Sequence, residues 1–147
     1  MPKVLRSTII DAPCERLWTV LRDFNGHESW HPAVGSSAIE RGHPPDKVGC
    51  VRKFKLKDGS ELREQLLSLS DLEQTFSYCL LDTPVPLFNY VAHVRLYPVT
   101  DGNRAFWQWE SRFDTRSGEA EAMAAMVGND IYAAGFEAIR QHLKAAA

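Results

Sequence analysis

Between Val34 and Asp114 apolar and polar residues alternate with period two, the spacing of half-buried β-strands. Turn residues break the alternation at Gly42–Asp46, Asp58-Gly59, Ser70-Asp71, Asp82–Pro86 and Asp101–Asn103, which predicts six consecutive strands. A β-branched stretch over residues 3–11 (Val4, Thr8, Ile9, Ile10) predicts one strand ahead of them. Asp11-Ala-Pro13 then opens a helix, with an acidic cap and a proline whose missing N–H costs nothing there. Leu17, Trp18 and Leu21 form the apolar stripe of that helix, and Phe24 follows it. A second helical turn, around Gly26 to Trp30, should end at Pro32. Gly118 to Lys144, rich in Ala, Glu, Met and Ile, reads as one long helix.

The order is strand, two short helices, six strands, long helix: an α+β chain expected to form one domain over residues 1–147. A seven-stranded antiparallel sheet curls and needs a cover on its concave face. Only the C-terminal helix is long enough, and a cavity is expected between the two.

Strand parity sorts the residues on that concave wall. Arg52 shares a face with Cys50, Phe54 and Leu56, while Lys53, Lys55 and Lys57 take the other; Glu64 shares a face with Leu62 and Leu66. A three-residue loop at Lys57-Asp58-Gly59, with Gly59 left-handed, would pair Phe54 with Leu62 and Arg52 with Glu64. A two-residue Asp-Gly turn would instead set Lys53 against Glu64, and the apolar pattern prefers the first register. Tyr90 is in phase with Ala92, Val94 and Leu96; Trp107, Trp109, Ser111 and Phe113 form one face, as do Phe76, Tyr78 and Leu80. The wall is therefore aromatic with a few polar points, the usual make-up of a small-molecule site. A buried Arg–Glu pair is a poor stabiliser, because desolvation offsets most of its attraction, so its presence points toward a ligand. A wet pocket would make its removal only modestly destabilising.

Composition narrows the classes. A net charge of −2 gives no electrostatic case for nucleic acid or an anionic membrane, and no apolar run is long enough to span a bilayer. The N-terminus lacks the charged-then-apolar pattern of a signal peptide, and three cysteines without CxxC spacing suggest reduced thiols; a cytoplasmic location is expected. His27-Glu-Ser-Trp-His31 has the HExxH spelling of zinc proteases. Gly26 before it and Pro32 after it leave barely one turn, with no third ligand downstream, so no metal is expected. Cys50 reads as a small buried hydrophobe.

Trp30-His-Pro32 after the second helix, Val48-Gly-Cys-Val-Arg52 opening the third strand and Tyr132-Ala-Ala-Gly-Phe136 in the last helix resemble the START-like (helix-grip, SRPBCC) superfamily, which includes the polyketide cyclase/dehydrase-like proteins. The likeness covers nearly the whole chain and implies the helix-grip fold. A closer resemblance is to the lachrymatory factor synthase family and, less closely, to abscisic acid receptors. It implies that Arg52, Glu64 and Tyr90 are catalytic, or that they hold a ligand. Trp30, His31, Phe54, Leu62, Phe76, Tyr78, Phe88, Trp107 and Trp109 are the candidate ligand contacts, with Met123 and Val127 lining from the helix. The expected partner is a small hydrophobic molecule. Proton-transfer chemistry without a cofactor (isomerisation, dehydration or cyclisation) and non-catalytic carriage are both within reach.

Overall fold

A computed structural model describes residues 1–146. The strands β1 (Lys3–Ile10), β2 (Val34–Ile39), β3 (Val51–Leu56), β4 (Glu61–Ser70), β5 (Thr75–Asp82), β6 (Leu87–Val99) and β7 (Arg104–Thr115) form one antiparallel sheet. Their order, β1-β7-β6-β5-β4-β3-β2, is a meander from β2 to β7 with β1 closing against β7. Helix α1 (Cys14–Leu21) and a 3₁₀ turn (Gly26–Ser29) bridge β1 and β2. The START-like helix-grip fold is thus the one that the order of elements predicts.

The local physics differs in three places. Asp11 does not cap α1: Pro13 holds the N-cap position and no side chain caps the helix. The C-terminal helix is not uniformly α-helical. It runs through α2 (Ala120–Ala125), a π-helical segment (Met126–Ala133) and α3 (Ala134–Ala145). A π segment adds a residue per turn and so rotates the face that follows it. Third, β6 carries a bulge between Phe88 and Val91, with Asn89 at φ 53° and its amide donating to Asp114 Oδ2 at 2.9 Å. That bulge breaks the two-residue alternation.

Between β3 and β4 the Lys57-Asp58-Gly59 loop closes with Leu56 N–H donating to Ser60 O at 2.9 Å and Gly59 at φ 91°, a conformation that glycine adopts without strain. The resulting register sets Arg52 opposite Glu64 and Phe54 opposite Leu62. Two irregularities in the β4–β5 pairing help to bend the sheet around the helix.

The helix is held by aromatic rings. Trp107 meets Phe136 edge-on at 4.6 Å between centroids, and Trp109 stacks on Tyr132 at 4.2 Å. Gly135 lets them close: a Cβ there would lie 3.0 Å from Trp109 Cζ3. Trp109 is pinned by Tyr132 and cannot yield, so Gly135→Val should cost roughly 1–3 kcal/mol in urea melts. Gly128→Ala, whose methyl would meet only the swinging end of Arg6, should cost less.

Candidate ligand-binding site

Sheet and helix enclose a cavity of about 290 Å³, near the lower end of small-molecule sites. Arg52, Glu64 and Tyr90 all line it, as do Trp30, His31, Phe54, Leu62, Phe76, Tyr78, Trp107 and Trp109. Three predicted contacts do not. Phe88 is 47% exposed, because the bulge at Asn89 turns Leu87 and Tyr90 inward and Phe88 out. Met123 and Val127 pack into the core instead, and the π segment presents Met126, Asp130 and Ile131 to the cavity. The lining residues that keep some exposure lie on three edges: Trp30 and Ala33, Leu56 and Leu62, and Thr83 and Val85, facing the helix residues. These edges mark the mouth.

Arg52 and Glu64 form the charged heart of the wall. Arg52 Nε and Nη2 donate to Glu64 Oε1 at 2.9 and 2.7 Å, and Nη1 donates to Phe24 O at 2.7 Å. The guanidinium also lies over the Phe24 ring at 4.0 Å, with Tyr78 at 5.3 Å. The two side chains keep only 9% and 10% of their surface exposed, so the pair is drier than the wet pocket expected from the sequence. Burial pushes the Glu64 carboxyl up, and Arg52 pulls it back in part.

Tyr90 shares the cavity but not a hydrogen bond with that pair. Its ring stacks on Phe113 at 5.9 Å, and its hydroxyl bonds to the Tyr132 hydroxyl. Tyr78 stands between, 6.2 Å from the Tyr90 ring, and accepts from Trp109 Nε1 at 3.2 Å. Burial holds all three phenols above their ordinary range, so they are neutral hydrogen-bond donors at physiological pH.

Sequence reasoning passed over two residues here. Tyr132 entered only as part of a motif, and its reach to Tyr90 depends on the π segment. His27 was read only within the HExxH spelling. In a 3₁₀ turn three residues make one turn, so Phe24, His27 and Trp30 share the inward face, a signal that was available. His27 lies edge-on to Phe54 at 4.6 Å, with neither ring nitrogen hydrogen-bonded. His31 has both nitrogens engaged by backbone: Ala33 N–H donates to Nδ1 at 3.2 Å, leaving Nε2–H to face Ile131 O at 3.3 Å. Burial lowers both histidines, and Arg52 adds to the effect.

Residues 1–144 match the family model for polyketide cyclase / dehydrase and lipid transport. The chain belongs to that family. Similar solved structures include an uncharacterised protein from Bacillus thuringiensis, 25% identical over 96% of this chain and 98% of that one, with a TM-score of 0.85. The protein XoxI from Bacillus cereus is 26% identical, covers 97% and 95%, and has a TM-score of 0.85. A Thermobifida fusca protein is 27% identical, covers 97% and 93%, and has a TM-score of 0.86. No curated protein matches the chain. Polyketide cyclisation and lipid transport both handle hydrophobic molecules, and the family assigns this chain a hydrophobic-ligand role of that kind. Among the described residues no helix is long and apolar enough to cross a membrane, and the three cysteines are free thiols.

Two expectations follow from this geometry. Removing one member of a buried pair strands the other, which costs roughly 3–5 kcal/mol when burial is complete. Arg52→Met and Glu64→Gln should each approach that range in urea melts, and the double mutant should lose clearly less than the sum. The second concerns pH. His27 and His31 are neutral when folded and take up protons on unfolding, so their contribution is complete above about pH 6.5 and is lost as pH falls below it. The slope is at most about 1.4 kcal/mol per pH unit for each histidine. Glu64, with a raised carboxyl, acts in the opposite sense, so the comparison is between variants: His27→Phe should flatten the decline between about pH 6.5 and 5 relative to the wild type.

Proposed function

We propose that the cavity binds a small, largely apolar molecule and that Arg52, Glu64 and Tyr90 carry out a cofactor-independent proton transfer on it: an isomerisation, dehydration or cyclisation. The observation that carries this reading is a carboxylate on an aromatic wall with one oxygen committed and the other free. Both Arg52 donors go to Glu64 Oε1, and no described residue donates to Oε2. Glu64 Oε2 is the base, and burial strengthens its hold on the proton it takes. Arg52 stabilises negative charge as it develops on the reacting molecule, a charge absent from the ground state. Tyr90 is a neutral phenol and returns a proton, with Tyr132 behind it holding the hydroxyl in place.

A second reading, a carrier of the same class of molecule, is favoured by the static character of the pair. Arg52 is bound to Glu64 and to Phe24 O rather than extended toward the cavity. The two readings separate in one experiment. The molecule that co-purifies with the chain is identified by native mass spectrometry and incubated with the protein in D₂O. Wild-type protein should place deuterium on a carbon of that molecule or convert it, and Glu64→Gln should slow this by about 10²- to 10⁴-fold. Binding without exchange or conversion in the wild type selects the carrier.

A further inference from the structure

Four side chains hold every formal charge on the cavity wall. Arg52 is the one cation among the described lining residues; Glu64, Asp23 and Asp130 are the anions. The two histidines add none, since both are buried and His31 is fixed as its Nε2–H form by Ala33. Asp23 and Asp130 are exposed and belong to the open end of the cavity. Inside, the Arg52 charge is matched by Glu64 at 2.7 Å and its face is covered by Phe24. No positive charge is left over for an anionic ligand. A carboxylate would pass two acids and reach an ion pair already neutral, among aromatic rings that cannot replace its water.

The uncommitted hydrogen-bonding groups favour a different ligand. Glu64 Oε2 receives no donor from the described residues and offers an anionic acceptor. Across the wall, Trp109 Nε1 donates to Tyr78 Oη at 3.2 Å. An indole N–H can only donate, so the Tyr78 proton is directed elsewhere, and that hydroxyl is a donor. A ligand hydroxyl satisfies both sides at once. The volume, about 290 Å³, corresponds to about ten water-sized groups at about 30 Å³ each.

We infer that the cavity selects an uncharged apolar molecule of about that size bearing a hydroxyl or N–H that donates to Glu64, and that it rejects carboxylates. This rests on the cavity being a binding site, as proposed above, and the test separates the two. The tryptophan fluorescence of the full chain is titrated at about pH 8 with 1-nonanol, methyl nonanoate and nonanoate; Trp30, Trp107 and Trp109 report from the wall. Nonanol should bind at least about tenfold tighter than nonanoate, with the ester, uncharged but without a donor, weaker than the alcohol. Glu64→Gln leaves the Arg52 charge unmatched, so nonanoate should then bind more tightly than it does to the wild type. That gain is one a merely damaged fold would not produce. Should the variant not fold, the wild-type series decides alone. Nonanoate binding the wild type as well as nonanol does, or the ester matching the alcohol, overturns the inference and leaves the cavity reading standing. Failure of all three to bind overturns both.

Discussion

The cavity exists because the helix is fastened to the sheet at one end by aromatic rings too large to let it close at the other. Trp107 and Trp109 meet Phe136 and Tyr132 over the bare backbone of Gly135. Flat rings seated this way set the spacing between helix and strands, and interiors packed near crystal density do not deform to erase it. The helix surface beyond the seam, at Met126, Asp130 and Ile131, is thereby held away from the concave wall. The void is a by-product of good packing next to it.

Two interruptions of regular backbone decide what the void contains. The π segment gives the last helix a face that an unbroken α-helix would not present, bringing Tyr132 onto Tyr90 and Met126 into the wall in place of Met123 and Val127. The bulge at Asn89 reverses the parity of β6, so Tyr90 points inward while Phe88 points out. Both devices break the local pattern of hydrogen bonding, and such breaks concentrate where a side chain must be aimed.

The charged pair gives the site its chemical character. An isolated arginine in this wall would be an anion trap, and an isolated glutamate would take up a proton. Held together they cancel, and what remains is a single acceptor oxygen facing apolar space. The same arrangement serves a carrier that must recognise a neutral molecule and an enzyme that moves one of its protons. Fold alone does not choose between these, since one scaffold hosts many chemistries.

Much of the architecture was legible in the sequence. Period-two alternation and turn residues mark all seven strands, and the Lys57-Asp58-Gly59 loop sets the Arg52–Glu64 register, because side-chain parity and turn length are local properties. The aromatic character of the wall follows from the same alternation at Phe76, Tyr78, Trp107 and Trp109. What local pattern could not decide is where the pattern fails. A bulge or a π turn costs hydrogen bonds in its own segment and persists only because distant packing compensates, so Phe88, Met123 and Val127 were assigned to the wrong side. Dryness is likewise tertiary. That Arg52 and Glu64 are sealed beneath Phe24, and that His27 is buried with no partner, depends on how α1, the 3₁₀ turn and the sheet close together. Sequence alone determined which residues could meet at the concave face; the packing of helix against sheet decided which of them meet, and how little water they share.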